Sequence, residues 1–265
     1  MGTVKKSSKL VRESVITQSN PDLSDNMRQS NDKNSRYCTR CTRALKACLC
    51  DYIVPVDNHT PLYILQHPNE VAHPKGTAAL LAASLQQCEI HVGEDFSRDE
   101  WLNVLLADQS RRYYLLWPDE DAISLTDLRQ QWESESSSSA SVAFILLDGT
   151  WRKAYRMLQS NPALARLPRI GIGAIAGQYA IRKKPFPDAL STIEAGYHLL
   201  SRWEGRPERY APLLTLFNRL NTQWQDFAEG AARDNSRSYQ DEKSSRGFQR
   251  RSGQHYLSGA SIGPV

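Results

Sequence analysis

The chain has 265 residues, a net charge of +4, 40% hydrophobic residues and 23% charged ones. That length suits one main domain with appendages. No apolar run approaches the roughly 20 residues of a membrane-spanning helix, and the charged first residues contain no apolar stretch of the kind a secretory leader needs.

Charge and apolar content are unevenly spread. Residues 1–36 carry seven Lys/Arg against four Asp/Glu, and residues 231–265 carry six against three. Both segments are too polar to offset chain entropy by burial, so both are expected to be disordered basic arms. Such arms attract nucleic acid non-specifically or serve only solubility. The body between them holds 20 basic and 22 acidic residues, so the overall charge says little about it.

Four of the five cysteines fall in Cys38-x2-Cys41-x6-Cys48-x-Cys50. Zinc takes four thiolates in a tetrahedron, and a Cys-x2-Cys knuckle offers two of them from one tight turn. Redox dithiols normally open a helix after a strand. This cluster instead follows a polar arm and stands among Arg36, Arg40, Arg43 and Lys46. It therefore predicts a structural Zn2+ module over 37–54, with all four positions filled. Five cysteines without an export signal point to a reducing cytoplasm. Cys88 stands alone in an apolar, helix-like context and reads as core.

Over 55–230, strand and helix patterns alternate. Pro61–Gln66 reads as a strand, Gly76–Gln87 as an Ala/Leu-rich helix, and Glu89–Val92 as a short strand. Arg98–Ala107 follows as a helix and Arg112–Trp117 as a strand stopped by Pro118. A helix near Ser124–Trp132 precedes a serine-rich loop, 133–139. Val142–Leu147 is six consecutive apolar residues, the pattern of a strand buried on both faces. Arg152–Leu158 has helical spacing, Arg169–Gly173 reads as a further strand, and Ser191–Trp203 and Pro207–Glu229 close the body as helices. The alternation predicts an α/β fold with a mostly parallel sheet and helices on both faces.

Three strand ends carry polar or turn chemistry: His67-Pro68-Asn69-Glu70, Trp117-Pro118-Asp119-Glu120 and Asp148-Gly149-Thr150-Trp151. A parallel sheet gathers such ends along one edge, where ligands bind. Asp148 suits either a turn-and-cap role or a site role at that edge. Ser191-Thr192-Ile193-Glu194 forms a capping box, with Ser191 as cap. Between Asp148 and Asp188 there is no acidic residue, while Arg152, Lys153, Arg156, Arg166, Arg169, Arg182, Lys183 and Lys184 accumulate. Tyr155 and Tyr179 interleave these charges, a composition suited to a polyanion surface. No Gly-x-Gly-x-x-Gly or Walker motif is present.

The cysteine cluster, His67-Pro68-Asn69-Glu70, Asp148-Gly149-Thr150-Trp151 and Ser191-Thr192-Ile193-Glu194-Ala195, in that order, resemble the DTW-domain family over about Tyr37–Gln225. The resemblance implies a tRNA-uridine aminocarboxypropyltransferase. Such an enzyme moves the 3-amino-3-carboxypropyl group of S-adenosylmethionine to N3 of a variable-loop uridine (position 47) and releases methylthioadenosine. It also implies a SPOUT-like fold with a knotted C-terminal loop. Uridine N3 is protonated at neutral pH, so a nearby carboxylate would help remove its proton. Asp148 is the first candidate, with Glu194 and Glu70 behind it; Asp148 could equally hold the donor's amino group. The expected donor pocket comprises Trp117, Pro118, Thr150, Trp151, Gly173, Ser191 and Thr192. The expected tRNA contacts are Arg152, Lys153, Arg156, Arg182, Lys183 and Lys184. Two other classes fit the same residues, an S-adenosylmethionine-dependent RNA methyltransferase and a non-catalytic RNA-binding zinc protein.

Overall fold

The computed structural model describes residues 36–41, 43–71, 73–135, 140–173 and 190–251, with side chains as far as 229. The body belongs to the unit Tyr37–Val265, which includes the cysteine module. Its strands are β1 (Leu62–Gln66), β2 (Cys88–Val92), β3 (Arg111–Leu116), β4 (Ile123–Ser124), β5 (Ser141–Asp148) and β6 (Arg169–Gly171). They form one sheet in the order β2-β1-β5-β3-β6-β4, and every described pairing is parallel.

Side-chain alternation along these strands separates two cores. Leu62, Ile64, Val142, Phe144, Leu146 and Tyr114 face one side. There they meet α1 (Ala78–Ser84), α3 (Leu125–Ser134), α6 (Thr192–Glu204) and α7 (Pro207–Arg251). Tyr63, Leu65, Ala143, Ile145, Tyr113 and Leu115 face the other side. Their partners are α2 (Glu100–Ala107), α4 (Trp151–Ser160) and α5 (Pro162–Ala165). Both faces are thus covered, which is why β5 is apolar without alternation.

Several elements depart from the sequence expectation. The Ala/Leu helix stops at Ser84, because Leu85 is extended and bridges Val56. Cys88 consequently opens β2 instead of lying in a helix. It does pack against the larger core, and burial pushes its thiol up to about 12. The two-residue β4, too short to show a period, pairs with β6 before α3 starts. The last helix runs on to Arg251, beyond the boundary at 230 where the basic tail was expected to begin. Its first turns are anchored by buried Tyr210, Leu213, Phe217 and Leu220. Once nucleated, a helix extends at the cost of one residue per added hydrogen bond, and 231–251 contain no proline to stop it.

Most of the N-terminal arm, the loop 136–139 and the segment 174–189 lie outside the described residues. Among the described residues no helix is long and apolar enough to cross a membrane.

Candidate active site at the carboxyl edge of the sheet

β1 and β5 are neighbours, yet the chain leaves β1 towards β2 and leaves β5 towards β6, on opposite sides. Connections that diverge from adjacent strands open a crevice at their carboxyl ends. The register places Gln66 beside Asp148 and Leu116 beside Ile170, so four strand ends share this edge. A cavity of about 590 Å3 lies there, lined by Leu116, Trp117, Pro118, Leu147, Asp148, Gly149, Trp151, Ala154, Ile172, Gly173, Leu190, Thr192 and Ala195.

Asp148 is the carboxylate in that lining and is buried. Gln66 Nε2 donates to its Oδ2 at 2.8 Å, and the Thr192 hydroxyl donates to its Oδ1. Its backbone carbonyl accepts from the His67 amide at 2.9 Å. The side chain is therefore tied to β1 and to the first turn of α6, and it cannot turn away without leaving buried donors unpaired. Gly149 allows a close approach: a Cβ there would stand 3.2 Å from the Lys153 Cβ, a tight contact. Thr150 caps α4 by accepting from the Lys153 amide.

Glu70 lies beside the cavity, not in its lining. It is buried and paired with Lys153 Nζ at 2.9 Å, so it joins the turn after β1 to α4. His67 caps that turn by accepting from the Asn69 amide, and its Nε2 is 3.4 Å from Glu94. Glu194 accepts from the amide and hydroxyl of Ser191 at 2.8 and 2.7 Å, completing the expected capping box. Ser191 and Glu194 fix the start of α6, while their neighbour Thr192 reaches Asp148.

Of the residues expected to hold a donor, Trp117, Pro118, Trp151, Gly173 and Thr192 line the cavity, whereas Thr150 and Ser191 act as helix caps. Sequence reasoning missed Gln66 and the apolar walls Leu116, Leu147, Ala154, Ile172, Leu190 and Ala195. Gln66 carried a signal, being the one polar residue in a strand buried throughout.

The basic stretch after Asp148 is less free of acid than its sequence. Lys153 pairs with Glu70, Arg156 with Glu94 at 3.3 Å, and Arg169 with Asp119. These acids come from other strand ends and loops, so a linear count could not see them. Arg152 and Arg156 remain exposed on α4. Arg182, Lys183 and Lys184 lie outside the described residues.

The four sulfurs of Cys38, Cys41, Cys48 and Cys50 lie within 4.8 Å of one another. Cys38 and Cys50 are 3.5 Å apart, and Cys41 and Cys48 are 3.7 Å apart. Zinc–sulfur bonds near 2.3 Å give tetrahedral edges of about 3.8 Å, so the thiols fit that metal. Burial pushes the Cys38 thiol up, but hydrogen bonds from the amides of Cys41 and Arg40 and with the thiols of Cys50 and Cys48 together outweigh it and bring the thiol down to about 7. Burial raises Cys48 and Cys50. The cluster packs on the core through Cys41 and Leu49. Arg43 fastens it further by donating to the carbonyls of Pro74 and Gly76.

Fold and edge together define a parallel α/β domain with a ligand cavity at its switch point and a four-thiol knuckle. The chain belongs to the DTW-domain family, whose model, described as DTW domain, matches residues 35–225. It is 34% identical to mouse (Mus musculus) tRNA-uridine aminocarboxypropyltransferase 2 over 170 residues, 62% of this chain and 55% of that protein. The Macaca fascicularis protein of the same name is 31% identical, covering 64% and 57%. The Drosophila melanogaster one is 30% identical, covering 64% and 68%. The chain thus spans a little over half the length of the mouse and macaque relatives. No solved structure matches.

Proposed function

We propose that the protein is a tRNA-uridine aminocarboxypropyltransferase that uses the strand-edge cavity to bind S-adenosylmethionine beside a uridine. The observation that carries this reading is the placement of Asp148 and Trp151, from the motif that names the family, in one cavity at the switch point. About 590 Å3 with mainly apolar walls and one fixed carboxylate is within the range of small-molecule sites. The donor, when bound, supplies a sulfonium whose carbon–sulfur bond can be broken.

Three carbons on that sulfur are open to attack, so orientation selects the product. Leu147, Ile172 and the Trp117 and Trp151 rings offer an apolar slot for the adenosine part. Asp148 offers a negative charge for the amino-acid part or for the N3 proton. Overall, N3 of uridine loses its proton and bonds to the propyl carbon. The carbon–sulfur bond breaks with its electron pair going to sulfur, which leaves as neutral methylthioadenosine. Arg152 and Arg156, with Arg182, Lys183 and Lys184, are proposed to contact tRNA phosphates. The four cysteines would hold a structural zinc that has no part in the transfer.

The test is to incubate the full chain with unmodified tRNA and donor and to identify the released nucleoside. Methylthioadenosine supports the reading; adenosylhomocysteine replaces it with methylation, and no turnover with retained tRNA binding leaves a binding protein. Asp148→Asn then separates the two roles of the carboxylate. As base, its loss lowers kcat by about 100-fold or more with KM for the donor kept. As ligand of the donor's amino group, its loss raises that KM about tenfold or more.

A further inference from the structure

Three aromatic rings lead from the cavity into solvent. Trp117 and Trp151 both line the cavity, with centroids 5.6 Å apart in an edge-on arrangement. Tyr155 lies one turn beyond Trp151 on α4, its centroid 6.5 Å from Trp117 and its plane tilted by 34°. Exposure grows outwards, from 37% at Trp151 to 56% at Tyr155. Aromatic rings gain much from burial, so the half-exposed Tyr155 ring at the cavity mouth offers a face for stacking.

The charges around the row select its occupant. Arg152 follows Trp151 and Arg156 follows Tyr155, and both are exposed. Arg156 pairs with Glu94 at 3.3 Å. Arg152 has no acidic partner among the described residues. A flat uncharged ring tethered to a negative backbone satisfies both features, and an unpaired nucleotide has that chemistry. A duplex would satisfy only the charges, because its bases are stacked on one another.

We propose that Tyr155, continuing the row of Trp117 and Trp151, is a stacking platform that positions an unpaired nucleotide of the RNA substrate at the cavity mouth, with Arg152 beside its phosphate. The choice of RNA as occupant rests on the tRNA-modification reading; the platform stands on the rings and charges. Tyr155 positions the substrate and takes no part in bond making. Its ring should matter and its hydroxyl should not.

The experiment compares the wild type with Tyr155→Ala and Tyr155→Phe. Binding of a single-stranded hexauridylate and of an RNA duplex is read by tryptophan fluorescence, and KM and kcat are read with a tRNA transcript. Tyr155→Ala should bind the hexauridylate about tenfold more weakly, as expected for one lost stacking partner. Tyr155→Phe should stay within about twofold of wild type, and duplex binding should change in neither variant. In turnover, Tyr155→Ala should raise KM for tRNA about tenfold with KM for the donor unchanged. Hexauridylate binding unaltered in Tyr155→Ala overturns the platform, as does an equal loss for duplex. If the hexauridylate result appears while the wild type transfers nothing, the platform stands and the transferase reading falls. If the wild type transfers and Tyr155→Ala behaves like it in both measurements, the reverse holds.

Discussion

The cysteine knuckle takes all four sulfurs from thirteen consecutive residues, whereas the cavity takes its walls from the ends of β3, β5 and β6 and the starts of α4 and α6. In the knuckle, short turns bring the thiols together, and the geometry is set by the spacing of the cysteines. In the cavity, the walls come from four separate stretches, 116–118, 147–154, 172–173 and 190–195. Its geometry is set by strand register and by hydrogen bonds that cross the sheet. A site of the first kind offers four thiols from one short stretch at a spacing that fits zinc. A site of the second kind is already held by the fold, as Asp148 is by Gln66 and Thr192.

The largest effect should come from removing the zinc proposed for the knuckle. Metal analysis of purified protein should find about one zinc per chain, and Cys41→Ser should lose it. The thermal midpoint should then fall by about 5–10 °C, as expected for several kcal/mol in a domain of this size. Protein that lacks zinc yet melts at the same temperature would remove the contrast between the two sites.

Gln66→Leu addresses the cavity in the same way. It deprives the buried Asp148 carboxylate of one donor, at a cost of about 1.5–3 kcal/mol. Transfer activity should fall about tenfold or more, while the zinc content stays the same. Normal activity would show that register alone holds Asp148.

Gly196→Ala tests the packing that brings α6 to the edge. The added Cβ would come within 2.7 Å of a Leu81 methyl on α1, an overpacking that costs about 1–3 kcal/mol. Denaturant titration should show the loss; an unchanged midpoint would mean that Leu81 moves aside freely.

The smallest effect is expected outside both sites, at the start of α2. Asp99 caps this helix and accepts from His91 at 2.9 Å. The His91 hydrogen bond, followed by that from the Leu102 amide, holds its carboxyl below the ordinary value. Its contribution is therefore present above the usual carboxylate range and is lost as pH falls through the lowered value. Asp99→Ala should cost about 1 kcal/mol at neutral pH, and the difference from wild type should vanish in acid melts.

Much of the fold was legible because parallel strands buried on both faces leave apolar runs, and Val142–Leu147 is such a run. The edge was legible too, since Asp-Gly and Trp-Pro punctuate two of its strands. The capping role of Glu194 followed from Ser-x-x-Glu spacing, which is local. Boundaries were less clear where a distant partner decides them, as Val56 does for Leu85. The block of eight basic residues taught the opposite lesson. It is acid-free only along the chain, because Glu70, Glu94 and Asp119 reach it through space.

By itself the sequence determined the alternation of strands and helices, the four clustered thiols and the motif that ties the chain to the DTW-domain family. These depend on spacings of a few residues, and local spacing is what a linear chain displays. Only the tertiary structure decided that Gln66 and Thr192 fix Asp148, that Glu70 is matched to Lys153, and that Tyr155 extends a row of rings beginning inside the cavity. Those relations join residues tens of positions apart, and they exist only once the register of a buried parallel sheet has brought its strand ends together.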